Sequence, residues 1–260
     1  MSYKGIDTSM KISADAAKTL NALGVSFVGR YLVPRGMGKD ITAEEARGLH
    51  DAGLAILLCW EIEAARALKG AGVGASDGER ARNLARGMRV PEETAIFFAV
   101  DFLPKSGDYS VIQEYFLAAY AAVAPYRCGI YGPYDIVKAM SERIPGLYVW
   151  QCVGGSSGRI YEGLNFYQRL GSDAAECKAI QAQVKFAVDL DTAESLDGLW
   201  RPVPETHWYD DTVLWALKEG IVTEERPNDP ATRAEVMQMI RNYNRRFEAE
   251  DNKSSSGLLE

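Results

Sequence analysis

The amino-acid sequence predicts an α/β protein, a (β/α)8 TIM-like barrel followed by a small C-terminal all-α module. Short apolar runs rich in β-forming residues alternate with helical stretches over the first 200 or so residues, which is typical of parallel strands joined by helices. Four of these runs end on a carboxylate: Asp7, Glu61, Asp101 and Asp189. Because the carboxyl ends of barrel strands open onto one face, we expect these acids to meet in one cleft.

The predicted strands are short apolar runs bounded by glycine, proline or polar residues. In chain order we predict strands at 3–7, 25–31, 54–60, 95–101, 128–131, 147–151 and 184–189, with helices at 13–23, 42–53, 77–89, 108–124 and 133–143. Thr42 and Glu45 form a capping box at the start of the second helix. We expect a glycine-rich loop at 70–74, and either a short strand or a reduced helix at 160–170. The chain is short for eight βα units, so we expect one or two vestigial helices.

Composition and charge exclude several classes of function. The chain has 260 residues and a net charge of −7, which argues against a nucleic-acid partner because nucleic acids require a basic surface. No apolar run approaches the roughly 20 residues of a membrane span, so we expect no membrane partner. The cysteines have neither CxxC nor Cys/His spacing. We therefore expect buried free thiols, no metal site and no cofactor.

The C-terminal quarter differs from the barrel domain, which we place at residues 1–200. The segment 201–205 (Arg-Pro-Val-Pro-Glu) has the composition of a linker. A small helical module is expected at 206–247, where two amphipathic stretches flank a Pro/Asn/Asp loop. Residues 248–260 are polar and charged, which predicts a disordered tail.

The four acids are the candidate catalytic residues, because paired carboxylates in a cleft are the groups that hydrolyse a glycosidic bond. Glu61 follows Trp60, and an apolar neighbour favours the protonated form of a carboxyl, as a general acid requires. The alternative is an ion pair between Glu61 and Arg30. Asp101 is the candidate for a carboxylate that orients the substrate. Asp7 could instead be an N-cap or loop acid.

Several residues near the predicted strand ends are candidates for holding a sugar. Aromatic faces cover the apolar faces of pyranose rings, and side-chain amides can hydrogen-bond acetamido groups. The candidates are Arg30, Tyr31, Trp60, Tyr131, Trp150, Gln151 and Asp191. Core packing is the alternative for the aromatic residues. Arg30 could instead hold a carboxylate, and Asp191 could cap the final helix.

Six short motifs in this order resemble a known family. They lie at 5–9 (Gly-Ile-Asp-Thr-Ser), 27–32 (Phe-Val-Gly-Arg-Tyr-Leu), 98–101 (Phe-Ala-Val-Asp), 129–132 (Gly-Ile-Tyr-Gly), 150–151 (Trp-Gln) and 188–191 (Val-Asp-Leu-Asp). The family is the glycoside-hydrolase-like barrel known as domain of unknown function 1906, which is similar to the family 25 lysozymes. The resemblance implies a peptidoglycan hydrolase of lysozyme or muramidase type, an endolysin or autolysin, whose partner is peptidoglycan or a secondary wall polymer.

The resemblance carries over to part of the catalytic set. Asp7 and Asp189 match the acids that end the first and last strands of family 25 lysozymes. Asp101 matches the first residue of their Asp-x-Glu motif, but Leu103 stands where they have the proton-donating glutamate. Two interpretations stay open: an enzyme in which Glu61 replaces that donor, and a non-catalytic carbohydrate-binding barrel that has kept the cleft.

Motifs in the C-terminal module resemble an S-layer homology module. They lie at 208–211 (Trp-Tyr-Asp-Asp), 215–216 (Trp-Ala), 219–221 (Glu-Gly-Ile) and 230–235 (Pro-Ala-Thr-Arg-Ala-Glu). Such modules bind cell-wall polymers, which implies a wall anchor of the kind found in phage endolysins; an interaction module unrelated to walls is the alternative. The first residues lack the charged and apolar regions of a signal peptide. We therefore expect synthesis in the cytoplasm and action at the bacterial cell wall after holin-type release or lysis.

Overall fold

A computed structural model describes residues 2–201 of the chain. In this range eight strands close into a barrel in chain order. The strands are β1 (Tyr3–Asp7), β2 (Val25–Tyr31), β3 (Ala55–Trp60), β4 (Ala95–Ala99), β5 (Arg127–Gly132), β6 (Tyr148–Cys152), β7 (Phe166–Leu170) and β8 (Asp189–Ala193). The α-helices in the same range are α1 (Ala14–Ala22), α2 (Ala43–Asp51), α3 (Gly70–Gly87), α4 (Tyr109–Val123), α5 (Tyr134–Arg143) and α6 (Ala175–Val184). The predicted linker, helical module and tail lie outside the described residues, apart from Arg201.

The closed (β/α)8 barrel confirms the predicted fold class, with one departure in the last strand. Strands β1 to β7 run parallel, whereas β8 is antiparallel to both β1 and β7. The prediction of a parallel strand at 184–189 is wrong, because α6 continues to Val184 and Asp189 is the first residue of β8. Since β8 runs in reverse, its amino end lies at the rim where the other strands end. Asp189 therefore lies at the expected face of the barrel, but at the start of an antiparallel strand and not at the end of a parallel one.

Two other segments refine the sequence analysis. The glycine-rich stretch 70–74 starts helix α3 and is not a loop. Glycine is needed there for close helix packing, since a Cβ at Gly74 would lie 2.1 Å from the carbonyl oxygen of Tyr115 in α4. The ambiguous segment 160–170 contains strand β7, and within the described residues the chain passes from β6 to β7 through turns without a helix. This missing helix is the vestigial one that the short chain predicts.

Aromatic rings fill the barrel interior beneath the rim. Phe27, Phe97 and Phe166 are fully buried, and Phe166 meets the other two edge to face at centroid distances of 5.7 and 5.6 Å. Glycines make room for these rings, because a Cβ at Gly5 would lie 2.2 Å from the ring of Phe27. Along β7 the next inward-pointing residue after Phe166 is Gln168, near the end of the strand, so the aromatic layer lies below the rim.

The cysteines agree with the sequence analysis. All four cysteines are buried free thiols. No helix between residues 2 and 201 combines the length and the apolar character needed to cross a bilayer.

Candidate active site

A cavity of about 380 Å³, here called the rim cavity, opens at the rim where β1 to β7 end and β8 begins. All four predicted catalytic acids line it: Asp7, Glu61, Asp101 and Asp189. Three of the predicted sugar-binding residues line it as well: Tyr31, Tyr131 and Trp150. The other lining residues are Cys59, Phe102, Leu103, Pro133, Cys152, Gly154, Gly155 and Gln168. The sequence therefore locates the cleft, although not every residue that forms it.

Asp7 and Gln168 form the floor of the rim cavity, and both are buried. The side-chain amide of Gln168 donates to Asp7 Oδ2 over 2.7 Å and to Asp189 Oδ2 over 3.3 Å. These two carboxylate oxygens are therefore no more than about 6 Å apart, the sum of those distances. Gln168 Oε1 accepts a hydrogen bond of 2.9 Å from the Tyr131 hydroxyl. One neutral side chain thus fixes two acids and one aromatic residue of the wall.

The acids of the rim cavity differ in their electrostatic environment. Burial raises the pKa of Asp7 to about 7, and the charge of Asp189 acts in the same direction. Burial also raises the pKa of Asp189, while burial and then the charge of Glu61 raise the pKa of Asp101. Asp7 can therefore hold a proton near neutral pH. A carboxyl that acts as a general acid must be protonated at the working pH.

Glu61 forms an ion pair at the cavity wall, but its partner is not Arg30. Lys39 Nζ lies 2.8 Å from Glu61 Oε2, and both side chains are partly buried. The same ammonium group lies 4.3 Å from the centroid of the Tyr31 ring. Lys39 comes from the loop that follows β2, so this loop carries a cation to a cavity otherwise dominated by acids.

Trp60 does not line the rim cavity, which corrects its predicted role in sugar binding. Successive side chains of a strand point to opposite sides, so Trp60 points outward while Glu61 lines the cavity. Its ring is 1% exposed and packs beside Phe98 in the layer between barrel and helices. The reason given for Glu61 as the general acid, that Trp60 shields it from water, is therefore wrong.

Arg30 is also outside the rim cavity, and its predicted contact with a sugar is wrong. The guanidinium group is fully buried and forms two hydrogen bonds with Glu45 of α2, the shorter being 2.7 Å from Nε to Oε1. It also donates from Nη1 to the carbonyl oxygen of Thr8 over 2.7 Å. Arg30 therefore fixes the chain that follows β1, directly after the catalytic candidate Asp7.

Gln151 and Asp191 are the other two predicted sugar-binding residues that lie outside the rim cavity. Gln151 is fully buried, and its side chain holds the β6–β7 connection by donating to the Arg159 carbonyl over 2.7 Å and accepting from the Tyr161 amide over 2.8 Å. Asp191 is fully buried inside the barrel and accepts a 2.9 Å hydrogen bond from Trp150 Nε1. It lies within β8 and does not cap a helix.

Leu103 lies at the mouth of the rim cavity and is 68% exposed. Its side chain lies against Gly155, where an added Cβ would come within 2.4 Å of Leu103 Cδ2. The position that holds the proton-donating glutamate in family 25 lysozymes is thus occupied here by an apolar side chain. Any proton donor must come from another acid of the cavity.

Two functional candidates were not identified from the sequence. Gln168 is two positions after the buried Phe166 and on the same side of β7, but the sequence at 160–170 fits a strand and a helix equally, so it predicts no inward position for Gln168. Lys39 follows Gly36 and Gly38, both with positive φ, in a loop whose path no local pattern predicts. Among residues 2–201 no group of three or more His, Cys, Asp and Glu side chains is arranged to hold a metal ion.

The sequence matches the family described as "Rv2525c-like, glycoside hydrolase-like domain" over residues 18–246. The chain belongs to this family. This confirms the predicted glycoside-hydrolase-like domain, and the matched range also includes most of the region predicted as a separate module. The predicted division into domains and the resemblances to S-layer homology modules and phage proteins stay predictions.

Individual relatives place the family in context. The uncharacterized protein YbfG of Bacillus subtilis (strain 168) is 32% identical in an alignment 157 residues long, which covers 52% of this chain and 21% of YbfG. The chain thus spans about a fifth of that relative's length. The Tat-secreted protein Rv2525c of Mycobacterium tuberculosis, solved with L-tartrate, superposes with a TM-score of 0.66 at 23% identity, covering 76% of this chain and 98% of Rv2525c.

A more distant structure shares the barrel. The modular autolysin LytC of Streptococcus pneumoniae, solved with a synthetic peptidoglycan ligand, has a TM-score of 0.52 at 13% identity, covering 74% of this chain and 46% of LytC. At these identities the structural matches show a common fold.

Proposed function

We propose that the barrel hydrolyses a glycosidic bond in a bacterial cell-wall glycan, as a lysozyme-like or muramidase-like enzyme. One observation carries the proposal: a buried carboxyl whose pKa is raised to about 7, Asp7, lies in one cavity with three further acids. Glycosidases need a protonated and an ionised carboxyl side by side. Membership in a glycoside hydrolase-like family supports the same reaction class.

The walls of the rim cavity support a sugar as the ligand. Tyr131 and Trp150 contact each other with ring centroids 4.4 Å apart, and together with Tyr31 they line a space of about 380 Å³. Aromatic walls with a few polar groups are typical of carbohydrate and other small-molecule sites. The autolysin LytC, which shares the barrel fold, was solved with a peptidoglycan ligand. This supports a wall glycan as the substrate and the cell wall as the place of action.

Asp7 is the proton donor in this proposal. It protonates the leaving oxygen as the glycosidic C–O bond breaks; a water then adds its hydroxyl to the anomeric carbon, and the remaining proton restores Asp7. Asp101 and Asp189, when ionised, stabilise the positive charge that develops on the sugar ring. The spacing of Asp7 and Asp189, at most about 6 Å, is shorter than the roughly 6.5–9.5 Å of inverting pairs. This favours retention of configuration.

A carbohydrate-binding barrel without turnover is the second candidate, and Leu103 favours it. The glutamate that donates the proton in family 25 lysozymes is replaced by a side chain that cannot carry one. A barrel that had lost this group could still hold a glycan against Tyr31, Tyr131 and Trp150. The two candidates differ in one measurable respect, which is whether bound walls are cleaved.

Clearing of a suspension of purified cell walls tests the proposal. The wild-type chain should lower the turbidity, and Asp101→Asn should slow clearing at least about a hundredfold while still sedimenting with the walls. Glu142→Gln, an exposed change on α5, is the matched control and should clear walls at the wild-type rate. Sedimentation of the wild type with walls that it never clears would favour the binding barrel. Neither binding nor clearing would contradict both candidates.

We propose wall attachment as the role of the predicted module at 206–247. The proposal rests on the resemblance of its motifs to S-layer homology modules, and those residues lie outside the described range. Residues 201–260 fused to a fluorescent protein should bind purified walls. A fusion that stays in solution would contradict the anchoring role without affecting the chemistry of the barrel.

A further inference from the structure

Asp191 is a buried acid that the proposed reaction does not use. Its side chain is 0% exposed within the barrel. Trp150 Nε1 donates to Oδ1 over 2.9 Å, whereas Oδ2 is buried and has no hydrogen-bond partner among the described residues. Asp191 lies opposite Gly5 in the pairing of β8 with β1, so its side chain shares the barrel interior with that of Asp7, two residues further along β1. Two adjacent carboxyl groups can hydrogen-bond to each other only if one of them carries a proton.

Among residues 2–201, the surroundings of this pair supply no cation to replace the proton. The titratable groups around it are Tyr31 of β2, Cys59 and Glu61 at the end of β3, Asp101 after β4, Tyr131 of β5, Cys152 of β6, Asp189 of β8 and Cys177 of α6. Lys39 is engaged with Glu61, and Arg30, on the outer side of β2, is neutralised by Glu45. Two adjacent buried anions without a cation would be strongly unfavourable.

We propose that Asp191 is a neutral carboxylic acid in the folded protein at neutral pH and donates a hydrogen bond to Asp7, as the positioning residue beneath the cavity floor. Trp150 then holds one oxygen of Asp191, and the shared proton occupies the other. Burial, followed by the charge of Asp7, raises the pKa of Asp191 well above its usual range, in agreement with this arrangement. A buried apolar site can keep a carboxylic acid neutral so that it acts as a donor.

The pair also explains how Asp7 is held. In this arrangement Asp7 receives one hydrogen bond from Gln168 and a second from the neutral Asp191, so both of its donors are neutral. Neutral donors orient a carboxyl without adding the positive charge that would keep it permanently ionised. Asp7 can then gain and lose a proton near neutral pH. Any benefit of this arrangement to catalysis depends on the proposed hydrolysis. The proposal that Asp191 carries a proton does not depend on it.

Infrared spectroscopy of the full chain with ¹³C-labelled aspartate tests the proposal on the wild type. At about pH 8.5, far above the usual aspartate pKa of about 3.9, the wild type should retain the carbonyl band of a protonated aspartic acid. Asp191→Asn should remove that band, and the exposed control Asp51→Asn should leave it. A wild type without a protonated aspartate band would overturn the proposal. This result does not depend on whether the protein cleaves any glycan.

Two substitutions at the same position provide a second test, read from the ¹³C NMR titration of Asp7. An asparagine can accept from Trp150 and donate to Asp7, so it imitates a neutral acid. In Asp191→Asn the midpoint of Asp7 should move by less than about half a pH unit. In Asp191→Leu the midpoint should rise, because this substitution removes a hydrogen bond that stabilises the ionised form of Asp7. A fall of more than about one unit in Asp191→Asn would mean that Asp191 carried a negative charge, and would overturn the proposal.

Discussion

The side-chain amide of Gln168 donates to Asp7 Oδ2 over 2.7 Å and joins two residues that are 161 positions apart in the chain. Gln168 lies on β7 and Asp7 on β1, and β8 separates these strands in the barrel. The bond therefore crosses the inside of the rim rather than following the sheet. A neutral amide, rather than a cation, sets the position of the most buried acid of the cavity.

Gln168→Leu should raise the pKa of Asp7 further. The hydrogen bond from the amide lowers the pKa of Asp7, whereas burial and the charge of Asp189 raise it. Without the amide, the two raising effects are less compensated. The Tyr131 hydroxyl also loses its acceptor, which should lower the free energy of unfolding by about 1–3 kcal/mol. NMR titration of ¹³C-labelled aspartate and urea unfolding measure the two effects. Gln183→Leu, exposed on α6, is the control. An unchanged or lower midpoint for Asp7 would contradict the role of the amide.

Glu61→Gln should reduce turnover far less than Asp7→Asn. Glu61 is held by Lys39, and Trp60 does not shield it, so we expect a loss below about tenfold, against at least about a hundredfold when the proton donor is removed. The pKa of Asp101 should fall, because the charge of Glu61 helps to raise it. Initial rates and the NMR titration of Asp101 check these effects. Equal losses in the two variants would restore Glu61 as the donor.

The stability of the barrel should depend on the protonation of its floor. In the folded state the pKa of Asp7 is raised from 3.8 to about 7, and that of Asp191 is raised as well. The folded chain therefore binds more protons than the unfolded chain, and these two acids destabilise the fold as the pH rises. The stabilisation from protonated Asp7 is complete below about pH 4 and is lost as the pH rises through 7. The stabilisation from protonated Asp191 persists to higher pH.

Urea unfolding at pH 5 and pH 8 measures this dependence. The free energy of unfolding of the wild type should fall between these values by on the order of a few kcal/mol relative to Asp7→Asn, which cannot titrate at this position. The comparison with the variant removes the contribution of the other acids. Parallel pH profiles for the wild type and Asp7→Asn would show that Asp7 titrates normally in the fold.

Glu45→Gln should destabilise the protein strongly, because it leaves the buried charge of Arg30 without a partner. Both side chains of this ion pair are fully buried, and removing one partner of such a pair typically costs about 3–5 kcal/mol. The exposed pair of Lys138 and Glu142 on α5 is the matched comparison, for which Glu142→Gln should cost about 0.5 kcal/mol or less. Urea unfolding gives both values, and similar costs would contradict the structural role of Arg30.

The barrel and the four acids could be predicted because both depend on local patterns. Each acid follows a short apolar run, and the barrel topology brings the ends of such runs together. Asp189 shows the limit of this reasoning. Its run at 184–189 is the end of α6 and a turn, and Asp189 reaches the rim only because β8 runs antiparallel. Strand direction depends on pairing partners far along the chain, which a local pattern does not contain.

Most of the wrongly predicted sugar-binding residues lie on the other side of their strand from the cavity. Arg30, Trp60 and Gln151 each sit next to a residue that lines the cavity, and alternation places them on the opposite side of the barrel wall. Applying this period of two to each strand would have excluded all three. Lys39 could not have been found in this way, because its contact with Glu61 depends on the path of a loop.

Release of new reducing ends from purified peptidoglycan is the measurement that tests the proposed hydrolysis most directly. The wild-type chain and Asp7→Asn should be compared at equal binding to the walls. We predict that the wild type releases reducing ends steadily, and that the rate in Asp7→Asn falls at least about a hundredfold, since the asparagine cannot donate the proton. Equal rates in the two proteins would show that Asp7 is not the donor. No release by the wild type from peptidoglycan that it binds would contradict hydrolysis itself.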